Sequence, residues 1–218
     1  MSFIPSKSSS SEKRNFLLAI HSSSENLGVA ICDSSNPKQS RQIAVFPLGR
    51  QLSNNLLACV ETLLPYKDWP YLTRLAVATG PGGFTGTRLG VVMVRTLAQQ
   101  IGCPLDGVSS FHLMAPRLVK TLTESDLKQS FWIVQSLKMR GTVGGCYQLI
   151  GNVNKRSINQ FREIKTPHLL SPDFSDSPSL VAIDDVRTDV EYLLEISLEA
   201  QKHRKQACWN DVVPIYST

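Results

Sequence analysis

Short apolar runs and polar breaks alternate along the first half of the chain. Phe16-Leu-Leu-Ala-Ile20, Leu27-Gly-Val-Ala-Ile-Cys32 and Gln42-Ile-Ala-Val-Phe46 have strand length, and polar turn residues separate them. An antiparallel meander is the simplest way to join three such strands. The period then changes. Leu56, Leu57, Val60, Leu63 and Leu64 recur at i, i+1, i+4, i+7 and i+8, one apolar stripe at helical spacing. Ser53 is a natural N-cap for this helix and Pro65 ends it. Leu75-Ala-Val-Ala78 predicts a fourth, buried strand; a glycine-rich run and a helix to about Gln100 follow, closed by Gly102 and Pro104. Leu105–Val108 predicts a fifth strand, and Ser109 or Ser110 can cap a helix that begins near Phe111.

The predicted order, three strands and then helix, strand, helix, strand, helix, is that of a ribonuclease-H-like core. The second half starts again with strands over Phe131–Leu137, Val143–Ile150, Ile158–Lys165 and Leu180–Ile183, with a loop over Thr166–Ser179 and a helix from about Thr188 to His203. The organisation expected is a polar, disordered tail over residues 1–15, a first subdomain over 16–122 and a smaller second one over 123–218.

The run Gly80-Pro-Gly-Gly-Phe-Thr-Gly-Thr-Arg-Leu-Gly90 joins a buried strand to a helix. Gly80, Gly82, Gly83 and Gly86 permit unusual backbone angles and close approach, and Thr85 or Thr87 can cap the helix. Such a junction serves equally as a tight packing turn or as a phosphate cradle on backbone N–H groups. It matches neither the P-loop pattern nor G-x-G-x-x-G in register. The helix behind it is apolar on two sides: Leu89, Met93 and Leu97 lie on one, Val91, Val94, Ala98 and Ile101 on another, and Val92 widens the zone. One side can cover its own sheet; the other requires a second cover. Gly86 and Gly90, four apart, would let a neighbouring helix come close. The expected partner-binding surface is therefore Leu56, Leu57, Val60 and Leu64 on one helix with Gly86, Gly90, Val91, Val94 and Ala98 on the other.

Composition removes several alternatives. No apolar run approaches the roughly 18 residues of a membrane span. The five cysteines are odd in number and widely spaced, without a C-x-x-C, so small buried hydrophobes in a reducing cytoplasm are expected. The net charge of +5 is scattered apart from the tail and Lys202–Lys205, and is read as solvated surface. His21, His112, His168 and His203 are isolated, and each is read as a surface or satisfied core residue. Asp184 and Asp185 after a strand read as a turn or helix start. No cofactor and no metal are expected.

Three blocks are specific in combination: Leu18-Ala-Ile-His-Ser-Ser23, Leu75 through Gly90, and Pro104-Leu-Asp-Gly-Val-Ser-Ser110, with Trp209 and Val213-Pro-Ile-Tyr216 near the C-terminus. They resemble the bacterial TsaB (YeaZ) family over roughly residues 16–120. The resemblance implies the actin-like ATPase (ASKHA) fold, an α/β architecture of two ribonuclease-H-like subdomains with the second reduced. It also implies a cytoplasmic, non-catalytic subunit. Its partners would be a TsaD-like subunit that transfers threonylcarbamoyl to N6 of adenosine 37 of tRNA and a TsaE-like ATPase, with tRNA reached through the complex; apart from the resemblance, an apolar helical surface left uncovered is expected to be hidden by a homodimer when the chain is alone. The pairing helices would be the two named above. The chain departs from the family where relatives carry Asp and it has His21, where Leu52-Ser53 replaces His-Ser, and where Leu137–Thr142 replaces an acidic strand motif. An imidazole does not replace a hard oxygen ligand for magnesium. The alternatives are an independent actin-like ATPase or phosphotransferase, which needs that acid, and a metallopeptidase, which needs a histidine pair that is missing.

Overall fold

The structure is a computed structural model that describes residues 14–137, 141–151 and 157–216. Nearly all of the expected tail and residues 138–140 of the Leu137–Thr142 departure lie outside the described residues. Strands β1 (Phe16–His21), β2 (Asn26–Asp33), β3 (Gln42–Pro47), β4 (Leu72–Ala78) and β5 (Leu105–Val108) form one sheet in the order β3-β2-β1-β4-β5. β1, β2 and β3 are the antiparallel meander, with Ala19 opposite Ala30 and Ala30 opposite Ile43. β4 and β5 run parallel to β1. A single-turn helix α1 (Pro37–Ser40) interrupts the meander.

Both faces of this sheet are covered, so its central strands are apolar without alternation. Helices α2 (Leu52–Leu63) and α3 (Phe84–Ile101) pack on Leu18, Ile20, Val29, Leu75 and Val77. The other face, with Leu17, Ala19, Ala30 and Ala76, is covered by α5 (Val186–Lys202) through Val190, Leu193 and Leu194. A Cβ on Gly28 would lie 2.7 Å from Val186 Cγ1, so glycine there lets α5 approach β2.

The second sheet comprises β6 (Ser130–Leu137), β7 (Gly141–Leu149), β8 (Phe161–Leu169) and β9 (Ser179–Val181) in the order β8-β7-β6-β9. Antiparallel β6-β7-β8 plus a parallel β9 repeats the first sheet's plan without its last strand. Helix α4 (Ser110–Leu118) packs Phe111, Met114, Ala115 and Leu118 against Phe131, Ile133, Tyr147 and Phe161. No helix covers the opposite face among the described residues; Trp132 instead meets Leu170 and Phe174, with the two rings 4.8 Å apart. This is the actin-like plan of two ribonuclease-H-like halves with the second reduced.

Packing crosses the expected division at residues 122 and 123 in both directions. α4 follows the first sheet in the chain but fills the second core, whereas α5 follows the second sheet and covers the first. Two polar networks pin these crossings. Arg117 of α4 donates to both carboxylate oxygens of the buried Asp189 of α5, at 3.1 and 3.2 Å, and to the carbonyl of Ile183. Ser109 caps α4 by accepting from the His112 N–H and donates to Glu163 of β8 at 2.7 Å, beside the buried Tyr147 hydroxyl.

Several local expectations change. α2 begins at Leu52 because a 3-10 turn over Gly49–Gln51 leads directly into it; Ser53 is already helical and bonds only Asn54. α3 is capped by Gly83, and neither Thr85 nor Thr87 caps it; Thr87 donates back to the Gly83 carbonyl at 2.9 Å. β4 starts three residues earlier than its apolar run because Arg74 is buried within it. Two bonds of 2.7 Å to Asp106 and one of 2.8 Å to the Lys205 carbonyl satisfy it there. β8 runs through Pro167 to Leu169, into the expected loop; at a sheet edge a proline costs no ladder bond. Residues Ile158–Gln160, expected in that strand, form a 3-10 turn. Asp185 does cap α5, accepting from the N–H and hydroxyl of Thr188.

Candidate partner-binding face and interdomain cleft

Gly80, at φ 92°, turns the chain out of β4, and its carbonyl accepts from the Ser110 N–H at 2.7 Å. The following glycines close upon the end of β1. A Cβ on Gly82 would lie 2.0 Å from the Ser23 carbonyl oxygen, one on Gly86 2.4 Å from the Ser22 carbonyl oxygen, and one on Gly90 2.1 Å from Ser22 Oγ. The Gly83 N–H donates to the Ser23 carbonyl at 2.6 Å, and Ser22 Oγ donates to the Gly86 carbonyl at 3.0 Å. Gly86 and Gly90 therefore admit the Ser22–Ser23 segment closest, and the Leu52 side chain of α2 also reaches Gly86. The Ser23 carbonyl thus takes the N–H of Gly83, the residue that caps α3.

A cleft of about 660 Å³ opens between the halves above this junction. Ser23, Glu25, Arg50, Ser53, Gly82, Gly83, Thr85 and Gly86 line one wall, and Gln135, Leu137 and Asp184 the other. A second opening of about 610 Å³ lies behind the molecule, between β5, Glu163 and the C-terminal segment. Polar groups at its base are already paired, Ser109 with Glu163 and Asp106 with Arg74. Among the described residues no group of three or more His, Cys, Asp or Glu side chains could hold a metal ion.

His21 departs from its expected reading. It is buried at the end of β1, and neither ring nitrogen has a hydrogen-bond partner. Burial drives its pKa down to about 4. The positive Arg117 nearby adds to the effect, and contact with its own main chain, outside hydrogen-bond geometry, opposes it. The imidazole is therefore neutral at physiological pH. The other three histidines have neighbours: His112 lies edge-on to Tyr147, His168 pairs with the Thr166 carbonyl, and His203 with Glu199.

The helical layer also revises the expected interface. Leu56, Val60, Leu64, Val91, Val94 and Ala98 are buried in the chain's own core, and Gly86 and Gly90 face Ser22. These side chains have no free surface to offer, because the apolar stripes they form are the ones that cover the sheet. Outward-facing instead are Leu57 on α2, 53% exposed, and Val92 on α3, 58% exposed. Phe84 and Tyr216, exposed by 53% and 46%, flank Arg88 at the start of α3. Phe84, Arg88 and Val92 follow one another at i, i+4 and i+8, a spacing visible in the sequence but masked there by the larger inward stripe.

A family model described as TsaD, tRNA N6-adenosine threonylcarbamoyltransferase, matches residues 47–126. The tRNA threonylcarbamoyladenosine biosynthesis protein TsaB of Bacillus subtilis (strain 168) is 33% identical over 103 residues, 45% of this chain and 43% of that protein. The chain thus aligns with less than half the length of this curated relative. Through these matches the chain resembles the TsaB/YeaZ family. In fold it is similar over nearly its whole length to YeaZ from Pseudomonas aeruginosa, with a TM-score of 0.66 and 20% identity, covering 93% of this chain and 99% of that one. An uncharacterized protein from P. aeruginosa with similarity to the peptidase YEAZ gives a TM-score of 0.68 at 18% identity, covering 94% and 100%. The matched segment 47–126 contains α2, the glycine turn, α3 and α4, so it holds most of one wall of the cleft together with Leu57, Phe84, Arg88 and Val92 of the outward helical face. The cysteines are free, four of them buried and Cys208 exposed. No helix among the described residues is long and apolar enough to cross a membrane.

Proposed function

We propose that the chain is a non-catalytic TsaB-type subunit that binds and stabilises a TsaD-type subunit, in the complex that places threonylcarbamoyl on N6 of adenosine 37 of tRNA. The observation that carries this reading is the α2–α3 layer, within the segment matched by the TsaD family model, with Leu57, Phe84 and Val92 turned outward. Large apolar side chains exposed together mark association surfaces. The partner buries this face, a TsaE-type ATPase joins the pair, and tRNA is met through the complex. Without its partner the chain covers the same face with a second copy. The non-catalytic part of the reading rests on His21: the residue standing where relatives carry an acid is a buried, neutral imidazole, which supplies no oxygen ligand to a magnesium-bound phosphate.

Co-expression with a TsaD-type subunit, followed by size-exclusion chromatography with light scattering, tests the reading. A stable heteromer is expected, and two components that stay separate at micromolar concentration would refute it. The cleft's volume favours a second reading, an actin-like ATPase acting alone. Calorimetric titration with Mg-ATP distinguishes the two, since tight binding by the isolated chain is expected only of the second.

A further inference from the structure

We propose that Arg88, held by Phe84 and Tyr216, is the anchor that captures a carboxylate of the TsaD-type partner, and that the C-terminal segment is part of the docking surface. The inference rests on the reading of the chain as the binder of a TsaD-type subunit and names the chemistry of that contact. The Arg88 guanidinium carbon lies 3.5 Å from the centroid of the Phe84 ring and 4.7 Å from that of Tyr216. The two rings are 6.5 Å apart and inclined by 57°. Phe84 reaches Arg88 because the two are one helical turn apart. Tyr216 arrives from far along the chain and is held there by its neighbours: the Ile215 N–H donates to the Thr79 carbonyl at 2.8 Å, and the buried Val212 packs over Gly107.

Phe84 lies against one side of the guanidinium and Tyr216 borders it at roughly a right angle to that direction, so the rings leave the rest of the group uncovered. Among the described residues the guanidinium has no hydrogen-bond acceptor, and Arg88 forms no ion pair. Stacking holds the side chain in one arrangement before any ligand arrives, so less rotamer freedom is lost on binding. A planar fork of this kind pairs two-pronged with a carboxylate, as a lysine cannot. The surroundings select a protein. Exposed Val92 and Val213 extend the rings into an apolar rim, and arginine within exposed aromatics is the composition of interface hot spots. A nucleic-acid strand would call for repeated cations along its path, whereas the next one along α3 is Arg95, two turns on.

The test is calorimetric titration of the full chain with the TsaD-type subunit at low and high salt. Arg88→Ala is expected to weaken binding by about tenfold or more and to flatten its salt dependence. Arg88→Lys should lose most of the affinity, Tyr216→Ala several-fold, and Tyr216→Phe almost none. Both positions are exposed, and unchanged thermal unfolding verifies that the four variants fold. Wild-type affinity in both Arg88→Ala and Tyr216→Ala would overturn the clasp and leave the functional reading standing. Absence of binding by the unmodified chain would overturn the functional reading and the clasp with it. A single-stranded RNA oligonucleotide that binds and is lost in Arg88→Ala, with subunit affinity intact, would overturn the clasp in favour of a phosphate site.

Discussion

Replacing Gly86 by alanine sets two physical effects against each other. Within a helix interior, glycine to alanine ordinarily stabilises by about 0.5–1 kcal/mol, because the unfolded glycine chain is freer. At Gly86 the added methyl would lie 2.4 Å from the Ser22 carbonyl oxygen and 3.2 Å from a Leu52 methyl. Since such contacts do not occur below 3.0 Å, a main-chain atom must move by about 0.6 Å, and the Ser22 carbonyl belongs to the segment that Gly83 and Gly86 also hold by hydrogen bonds. Overpacking against fixed main chain costs about 1–3 kcal/mol. The net expectation is a loss of about 1–2 kcal/mol, opposite in sign to propensity. Thr96→Ala, at an exposed interior position of the same helix, is the control and should gain a few tenths of a kcal/mol by propensity alone. Urea unfolding of both variants measures the difference. A Gly86→Ala protein as stable as wild type, or more so, would refute the reading of the glycine run as a packing turn on the end of β1.

Leu57→Glu and Val92→Glu should leave stability within about 0.5 kcal/mol and abolish association with the TsaD-type subunit, as read by thermal unfolding and co-purification. Val94→Glu, by contrast, buries a charge in the chain's own core and should cost about 3–5 kcal/mol, so lost pairing in that variant reports unfolding. His21 binds a proton less readily folded, at about 4, than at its ordinary 6.5; its contribution to stability is present above 6.5 and lost as pH falls toward 4, by roughly 3 kcal/mol in all. Asp189, raised to about 6 by burial despite Arg117, acts in the opposite sense, weakening the fold as pH rises from about 4 to 6. His21→Leu should therefore reduce the acid loss of stability in urea titrations across that range; an unchanged pH slope would contradict the assignment. Arg204 sits at φ 50° after α5, so Arg204→Gly should raise the unfolding midpoint, worth about 1 kcal/mol.

The strand and helix plan was legible because period and punctuation agree in the first half. The meander, both covering helices, the capping of α4 by Ser109 and the fifth strand all follow from local residues. Side-chain direction was not legible. Leu56, Val60, Val91 and Val94 form apolar stripes whether they face a sheet or a partner, and only the placement of β1 and β4 decides between them. Arg74 hid the start of β4 because its partners, Asp106 and the Lys205 carbonyl, are distant in sequence. The exchange of α4 and α5 between the halves, and the meeting of Tyr216 with Phe84 and Arg88, are likewise products of chain return that no local pattern encodes. The glycine run was readable as a special junction, but its occupant, the Ser22–Ser23 carbonyls, became visible only with β1 in place.

Hydrogen–deuterium exchange of the chain with and without a TsaD-type subunit tests the central claim most directly. The first amides of α3 lack intrahelical acceptors and exchange readily unless covered. Added subunit is predicted to slow exchange over residues 84–92 and 213–216 and along the exposed turn of α2 around Leu57, leaving the second sheet unchanged. Protection confined to the second sheet, or none at saturating partner, would contradict the account.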